Sequence, residues 1–108
     1  MTSSRLQTLL DMYAQNPADS FVTYALAKEY ESADNPAKAE EYFRKILQNN
    51  PDYVGMYYHF GKLLWNLYRD DEATHIIDLG ITVAEKLGDK HALGELRQLR
   101  WEVSDEDI

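Results

Sequence analysis

A spacing of 34 residues constrains this chain more than any other feature of its sequence. The dipeptide Asn16-Pro17 recurs as Asn50-Pro51, and the same offset pairs residues of similar size through the middle of the chain. Between residues 20–53 and 54–87, the identical pairs are Tyr24/Tyr58, Lys28/Lys62 and Ala39/Ala73. A fixed period of this length is typical of repeat proteins, in which each unit buries its apolar face against a neighbour. The pattern predicts a packing repeat whose other positions have diverged.

The first unit is predicted to form two helices joined by a turn. Apolar residues recur every three or four positions over 19–33 and again over 36–49, which is the period of a helix with one buried face. These positions are Phe21, Val22, Ala25, Leu26 and Tyr30, then Ala39, Tyr42, Phe43, Ile46 and Leu47. Between the helices, Asp34 suits a left-handed turn, Asn35 suits a helix cap and Pro36 suits a first helical position. Pro51 ends the second helix, because the residue before proline avoids helical backbone angles.

The second unit repeats this arrangement, and one more helix is expected on each side of the pair. The same period predicts helices over 53–67 and 71–87, with Gly88 as a stop and Asp89 as the cap of a last helix over 90–103. The last helix carries Leu93, Leu96, Leu99 and Val103, and Leu6, Leu9, Leu10 and Tyr13 predict a first helix over 4–15. Residues 104–108 are predicted to form an acidic tail.

These residues resemble the tetratricopeptide (TPR) repeat. The first unit matches the family pattern with Leu26-Ala27, Tyr30, Ala39, Phe43 and Pro51, and the second with Tyr57, Phe60-Gly61 and Ala73. Four positions depart from it: Thr23 replaces a usual Trp, Ile46 a small residue, Tyr68 a Gly-like turn residue and Glu85 the closing Pro. The resemblance implies an all-α fold of antiparallel helix pairs, a short right-handed α-solenoid of about six helices. It further implies one domain over 1–108, with repeat one at 19–50 and repeat two at 53–87.

Composition and charge exclude several classes of function. The chain has 19 acidic and 11 basic residues and a net charge of −8, which argues against nucleic acid and anionic membranes as partners. It has no cysteine, and its three histidines fall on different predicted helices, so we predict no metal site and no cofactor. It lacks a Gly-rich phosphate loop and a G-x-S-x-G nucleophile motif, so we predict that it is not an enzyme. Without an apolar leader or span, a cytoplasmic location is expected.

The repeated Tyr–Lys pair is the candidate binding feature. Tyr24 and Lys28 share one face of the first helix of unit one, and Tyr58 and Lys62 share the matching face in unit two. In TPR proteins, the resemblance implies, this side of the first helices lines a concave groove that binds extended peptides. His59, Trp65 and Asn66 extend the same face in unit two. We therefore predict a protein or peptide partner, acidic or carboxylate-bearing, bound by the lysines with aromatic support.

Two alternatives stay open for this chain. The tyrosines and lysine stems could simply pack on neighbouring helices, with solvated ammonium groups. The chain could instead form a homodimer through an apolar face of the last helix carrying Leu99 and Trp101. One TPR subclass grips a C-terminal carboxylate with Lys, Asn and Arg residues, but here the matching positions hold Tyr24, Lys28 and His59, and of these only Lys28 is of a fitting type. Binding of that kind is therefore not predicted.

Overall fold

The computed structural model describes residues 3–105, which form six α-helices and, within that range, no strand. Their bounds are α1 Ser4–Gln15, α2 Ser20–Ser32, α3 Pro36–Asn49, α4 Gly55–Asn66, α5 Asp70–Leu87 and α6 Lys90–Asp105. Every helix begins and ends within about two residues of its predicted bounds, the usual uncertainty of helix ends. The prediction of an all-α fold of six helices is confirmed.

The chain divides into two compact units after Tyr53. In the first unit, α2 packs against α3 and α1 packs against α2. In the second unit, α5 packs against both α4 and α6, and α4 also contacts α6. The end of α3 is tied to the start of α2 by Asn50, whose side-chain amide donates a 3.0 Å hydrogen bond to the Ser20 hydroxyl. The first unit is thus a helix pair with α1 added, and the second a helix pair with α6 added.

The core of the first unit agrees with the predicted faces at most positions. Its fully or almost fully buried residues are Val22, Leu26, Ala27, Ala39, Phe43 and Ile46. Thr23, where a Trp was expected, is also buried, and its hydroxyl donates a 2.9 Å hydrogen bond to the Asp19 carbonyl. The prediction is wrong for Phe21, which is 68% exposed because the buried side of α2 passes through Val22 and not through its neighbour.

In the second unit, small residues let helices approach closely. A Cβ on Gly61 would lie 2.7 Å from Ile77 Cγ1, and a Cβ on Gly80 would lie 2.5 Å from Tyr57 Cβ. The core includes Met56, Phe60, Leu64, Ala73, Ile77, Leu96 and Val103. Leu99 is also buried, at 2% exposure, so the idea that it forms part of an exposed face of α6 is wrong.

The turn residues act largely as predicted. Asp34 has φ 58°, the Asn35 carboxamide oxygen caps α3 by accepting from the Lys38 N–H at 3.2 Å, and Pro36 opens that helix. Gly88 ends α5 at φ 69°. Asp89 then accepts a 3.0 Å hydrogen bond from the Ala92 N–H at the start of α6. The predicted tail differs in part, because α6 continues to Asp105, and residues 106–108 lie outside the described range.

Candidate functional site

Tyr24 and Lys28 lie on α2 of the first unit, and both are half-buried. The Tyr24 ring packs at 6.4 Å from the Phe43 ring and at 5.5 Å from the Tyr53 ring, measured between centroids. Burial raises the pKa of the Tyr53 phenol, and the nearby Asp19 carboxylate raises it further. Tyr24 therefore contributes to the packing of its own unit, as in the alternative in which the tyrosines pack on neighbouring helices, and the residue stays partly accessible.

The Lys28 ammonium contacts the Glu31 carboxylate on its own helix. Its Nζ lies 3.5 Å from Glu31 Oε1, and 38% of the Lys28 side chain is exposed. A pair this long and this exposed contributes little to stability, since solvent screens it. The ammonium can therefore bind an external carboxylate, either in place of Glu31 or together with it.

In the second unit, Tyr58, His59 and Lys62 come together on α4. The rings of Tyr58 and His59 meet edge to face at 5.3 Å, and Lys62 Nζ lies 5.8 Å from the centroid of the Tyr58 ring. Such a cation–aromatic contact at an exposed site contributes about 0.5–1 kcal/mol. Trp65 is half-buried and Asn66 is exposed at the end of α4, at the i+3 and i+4 positions from Lys62.

Lys62 differs from most basic residues of the chain. It is exposed, and within residues 3–105 no carboxylate pairs with it. By contrast, Arg5 pairs with Glu29, Arg69 with Glu72 and Arg100 with Asp78 at 3.0 Å or less. In a chain with net charge −8, an exposed cation that no carboxylate among the described residues neutralises is available to an anionic group of a ligand.

Phe21 lies on the same face of α2 as Tyr24 and Lys28, but it was not among the predicted site residues. It precedes Tyr24 by three positions and Lys28 by seven, and residues at these spacings lie on one side of a helix. The spacing was readable in the sequence, but the apolar period led to the prediction that Phe21 is buried. Its 68% exposure adds an apolar side chain to the Tyr24–Lys28 face.

Other chemistry has little support among the described residues. Within 3–105, no group of three or more His, Asp or Glu side chains is placed to hold a metal ion. An open surface depression of about 490 Å³ lies at the turn before α5, lined by residues 68–72. None of the predicted site residues lines it, and its three carboxylates, Asp70, Asp71 and Glu72, suit the positive end of the α5 dipole. Within the part of the chain that is described, no helix is long and apolar enough to cross a membrane.

The comparisons with known proteins agree with the repeat pattern. A family model of the tetratricopeptide repeat matches residues 20–63. The crystal structure of a TPR domain protein from Salinibacter ruber is 39% identical, with a TM-score of 0.77, and the match covers 81% of this chain and 97% of that one. No curated protein gives a significant match.

Two more distant structures share the fold. A protein from Bordetella parapertussis has a TM-score of 0.83 at 23% identity, over 99% of this chain and 92% of that one. The TPR2B domain of yeast Sti1, solved in complex with pHsp70, has a TM-score of 0.87 at 16% identity, over 94% of this chain and 81% of that one. Helical repeat proteins of this fold present extended surfaces that bind other proteins. The repeat, the six helices and the identity with the Salinibacter domain together show that the chain belongs to the tetratricopeptide repeat family.

Proposed function

We propose that this protein is a non-enzymatic protein-interaction module that binds a short acidic or carboxylate-bearing peptide segment. Each unit contributes its own binding face: Tyr24 and Lys28 on α2 in the first unit, and Tyr58, His59 and Lys62 on α4 in the second, extended by Trp65 and Asn66. The observation that carries the proposal is Lys62, an exposed ammonium over an aromatic ring with no internal carboxylate partner in the described residues. Its helix position repeats that of Lys28 at an offset of 34.

The chemistry of these faces suits an anionic peptide. Each lysine supplies a cation for a charge-assisted hydrogen bond to a carboxylate. The neighbouring tyrosine rings supply rigid apolar area with few rotatable bonds, which limits the entropy lost on binding. The complex of the Sti1 domain with pHsp70 is a precedent for binding by this fold, although at 16% identity it supports only the fold.

An amide NMR titration tests the proposal. The protein is titrated with pooled acidic peptides that carry either a free or an amidated C-terminus. We expect shifts at Tyr24, Lys28, Tyr58, His59 and Lys62, and their loss on amidation would assign the lysines to a terminal carboxylate. Shifts that persist after amidation would assign them to acidic side chains. An absence of shifts at these residues with every acidic pool would refute the proposal.

A second candidate function is self-association through the outer side of α6. The exposure of Trp101 on α6 favours this function, because 63% of this residue is exposed. Exposed aromatic residues are enriched at protein interfaces. Sedimentation velocity over a range of concentrations distinguishes the candidates, because self-association through α6 predicts a dimer that Trp101→Ala dissociates. A concentration-independent monomer would refute this second candidate and leave the peptide proposal unaffected.

A further inference from the structure

Phe21 is placed where the fold gains little from a large apolar side chain. At 68% exposure, it forgoes most of the stabilisation that full burial of such a side chain provides. The equivalent position of the second repeat, 34 residues later, is Gly55, which is also exposed. The packing of the repeat therefore does not require a phenylalanine at this position, and its ring is available to a ligand.

The spacing of Phe21 and Lys28 along α2 can be compared with the spacing of side chains along a bound peptide. Seven residues separate Phe21 from Lys28, which corresponds to roughly 10.5 Å along the axis of an α-helix. A peptide in the polyproline II conformation has three residues per turn and advances about 3.1 Å per residue, so side chains three positions apart point the same way and lie about 9 Å apart. A peptide that lies along α2 in this conformation places side chains three positions apart against Phe21 and Lys28, with the half-buried Tyr24 between them.

We propose, building on the peptide-binding function above, that the first unit selects a segment in which a large apolar residue and an acidic residue are three positions apart. The apolar side chain packs on Phe21 and Tyr24, and the carboxylate binds the Lys28 ammonium. Charge complementarity places the acidic residue of the peptide at Lys28, because the chain is otherwise strongly acidic and repels a carboxylate at other positions. The apolar contact and the charge pair both contribute to the affinity, and Lys28 fixes the register of the peptide.

Peptides in a glycine–serine background test this inference. The reference peptide carries one leucine and, three positions later, one glutamate, and a second peptide carries the same pair in reverse order. Matched controls replace leucine by serine, replace glutamate by glutamine, or bring the pair to adjacent positions. Dissociation constants are measured by NMR titration of the labelled protein. We expect at least one order of the pair to bind about tenfold more tightly than each of its controls.

Protein variants assign the contact to Phe21. Phe21→Ala is expected to weaken binding of the reference peptide about tenfold, and Phe21→Leu to retain most of it. Trp101→Ala removes a similarly exposed ring from α6 and is expected to leave binding unchanged. Since Phe21 is mostly exposed, circular dichroism should show that all three variants keep the helical fold.

The outcomes separate this inference from the proposed function. If acidic peptides shift the two lysine faces but bind Phe21→Ala as tightly as the native chain, the selection by Phe21 is wrong and peptide binding stands. If changing the spacing of the pair has no effect, the register between Phe21 and Lys28 is wrong. If no peptide shifts Lys28 or Lys62, both the inference and the proposed function fail.

Discussion

At the scale of single residues, Gly80 illustrates how closely the helices of the second unit approach one another. A Cβ at this position would lie 2.5 Å from Tyr57 Cβ and 2.9 Å from Tyr57 Cγ. These atoms are close to the backbone of α4, so they cannot rotate away as the end of a long side chain can. In the first repeat the corresponding residue is Ile46, which is buried, so the two repeats reach a filled core with different side chains.

Gly80→Ala is therefore expected to destabilise the protein although alanine is the better helix former. Overpacking of this kind costs about 1–3 kcal/mol in the free energy of unfolding. Gly94→Ala is the matched control, because nothing lies within 4 Å of a Cβ built on this exposed α6 residue. The control is expected to stabilise by about 0.5–1 kcal/mol. Urea unfolding of both variants measures the difference, and equal effects of the two changes would contradict the packing described here.

Tyr68 has an unfavourable backbone conformation for its residue type. It has φ 62°, a left-handed angle that costs an L-residue about 1–2 kcal/mol, and its ring is 93% exposed. The equivalent residue in the first repeat is Asp34, whose short polar side chain tolerates this angle better. The resemblance indicated a Gly-like turn residue here, and the structure shows the conformation that makes glycine favourable.

Tyr68→Gly is expected to stabilise the protein by about 0.5–1 kcal/mol. The gain is the relieved backbone strain, reduced by the greater freedom of glycine in the unfolded chain. The exposed ring has little packing to lose. Thermal and urea unfolding provide the measurement. A loss of stability would mean that the Tyr68 ring makes contacts important to the fold.

At the scale of helices, a cluster of aromatic rings around Lys45 joins α1, α2 and α3 of the first unit. The Tyr30 ring stacks on Tyr42 at 5.7 Å, and the Tyr13 ring meets Tyr42 edge to face at 5.4 Å. Lys45 Nζ lies 5.6 Å from the Tyr13 centroid and 5.5 Å from the Tyr42 centroid. The helix α1 buries only Leu6 and Leu9 among its described residues, so this cluster is an important part of its attachment.

The cluster predicts a specific loss of stability at alkaline pH. Burial, followed by the charges of Tyr30 and Glu41, raises the pKa of Tyr42 above 10.0, and a hydrogen bond to Tyr13 is the main cause of a raised Lys45 pKa. The folded state thus holds protons that the unfolded state has released. Stability from these groups is complete below pH 10.0 and falls as the pH rises through the folded-state pKa values.

Tyr42→Phe tests the contribution of the buried phenol. This variant is expected to show a shallower decline in the free energy of unfolding above pH 10.0, since its ring cannot ionise. Tyr68→Phe removes a hydroxyl from an exposed ring and is the matched control, with the native alkaline decline expected. An unchanged decline in Tyr42→Phe would exclude the burial of this phenol as its cause.

The helices were predictable from sequence because their signals are local. Caps such as Asn35 and Asp89 and stops such as Gly88 act within one turn of the helix end that they define. The helical period was less informative about which of two adjacent apolar residues is buried. Phe21 and Val22 both fit the apolar stripe of α2, and only the position of the neighbouring helices decides that Val22 is inside.

At the scale of the whole molecule, the 34-residue offset and the helical period together were sufficient to predict a repeat fold of about six helices, and the motif residues indicated the family. At most core positions the offset matches large residues with large and small with small, with Ile46 and Gly80 as an exception, and this pattern survives where identities do not. The contacts of the candidate site could not be predicted from the repeat pattern in the same way. The contact of Tyr24 with Tyr53 joins residues far apart in sequence, and no local pattern reports it. The role of Tyr24 within its own unit therefore required the structure.

Charge reversal at the repeated lysines, Lys28 and Lys62, provides a direct test of whether they bind an acidic peptide. Binding of an acidic peptide that shifts both lysine faces is measured by isothermal titration to the native chain and to the double variant Lys28→Glu with Lys62→Glu. The control, Lys38→Glu with Lys90→Glu, changes the net charge equally at exposed lysines of α3 and α6. We predict that the first variant loses binding by at least about tenfold while the control stays within about threefold of the native chain. Equal losses in both variants would show that only the overall charge matters, and they would contradict a site built on Lys28 and Lys62.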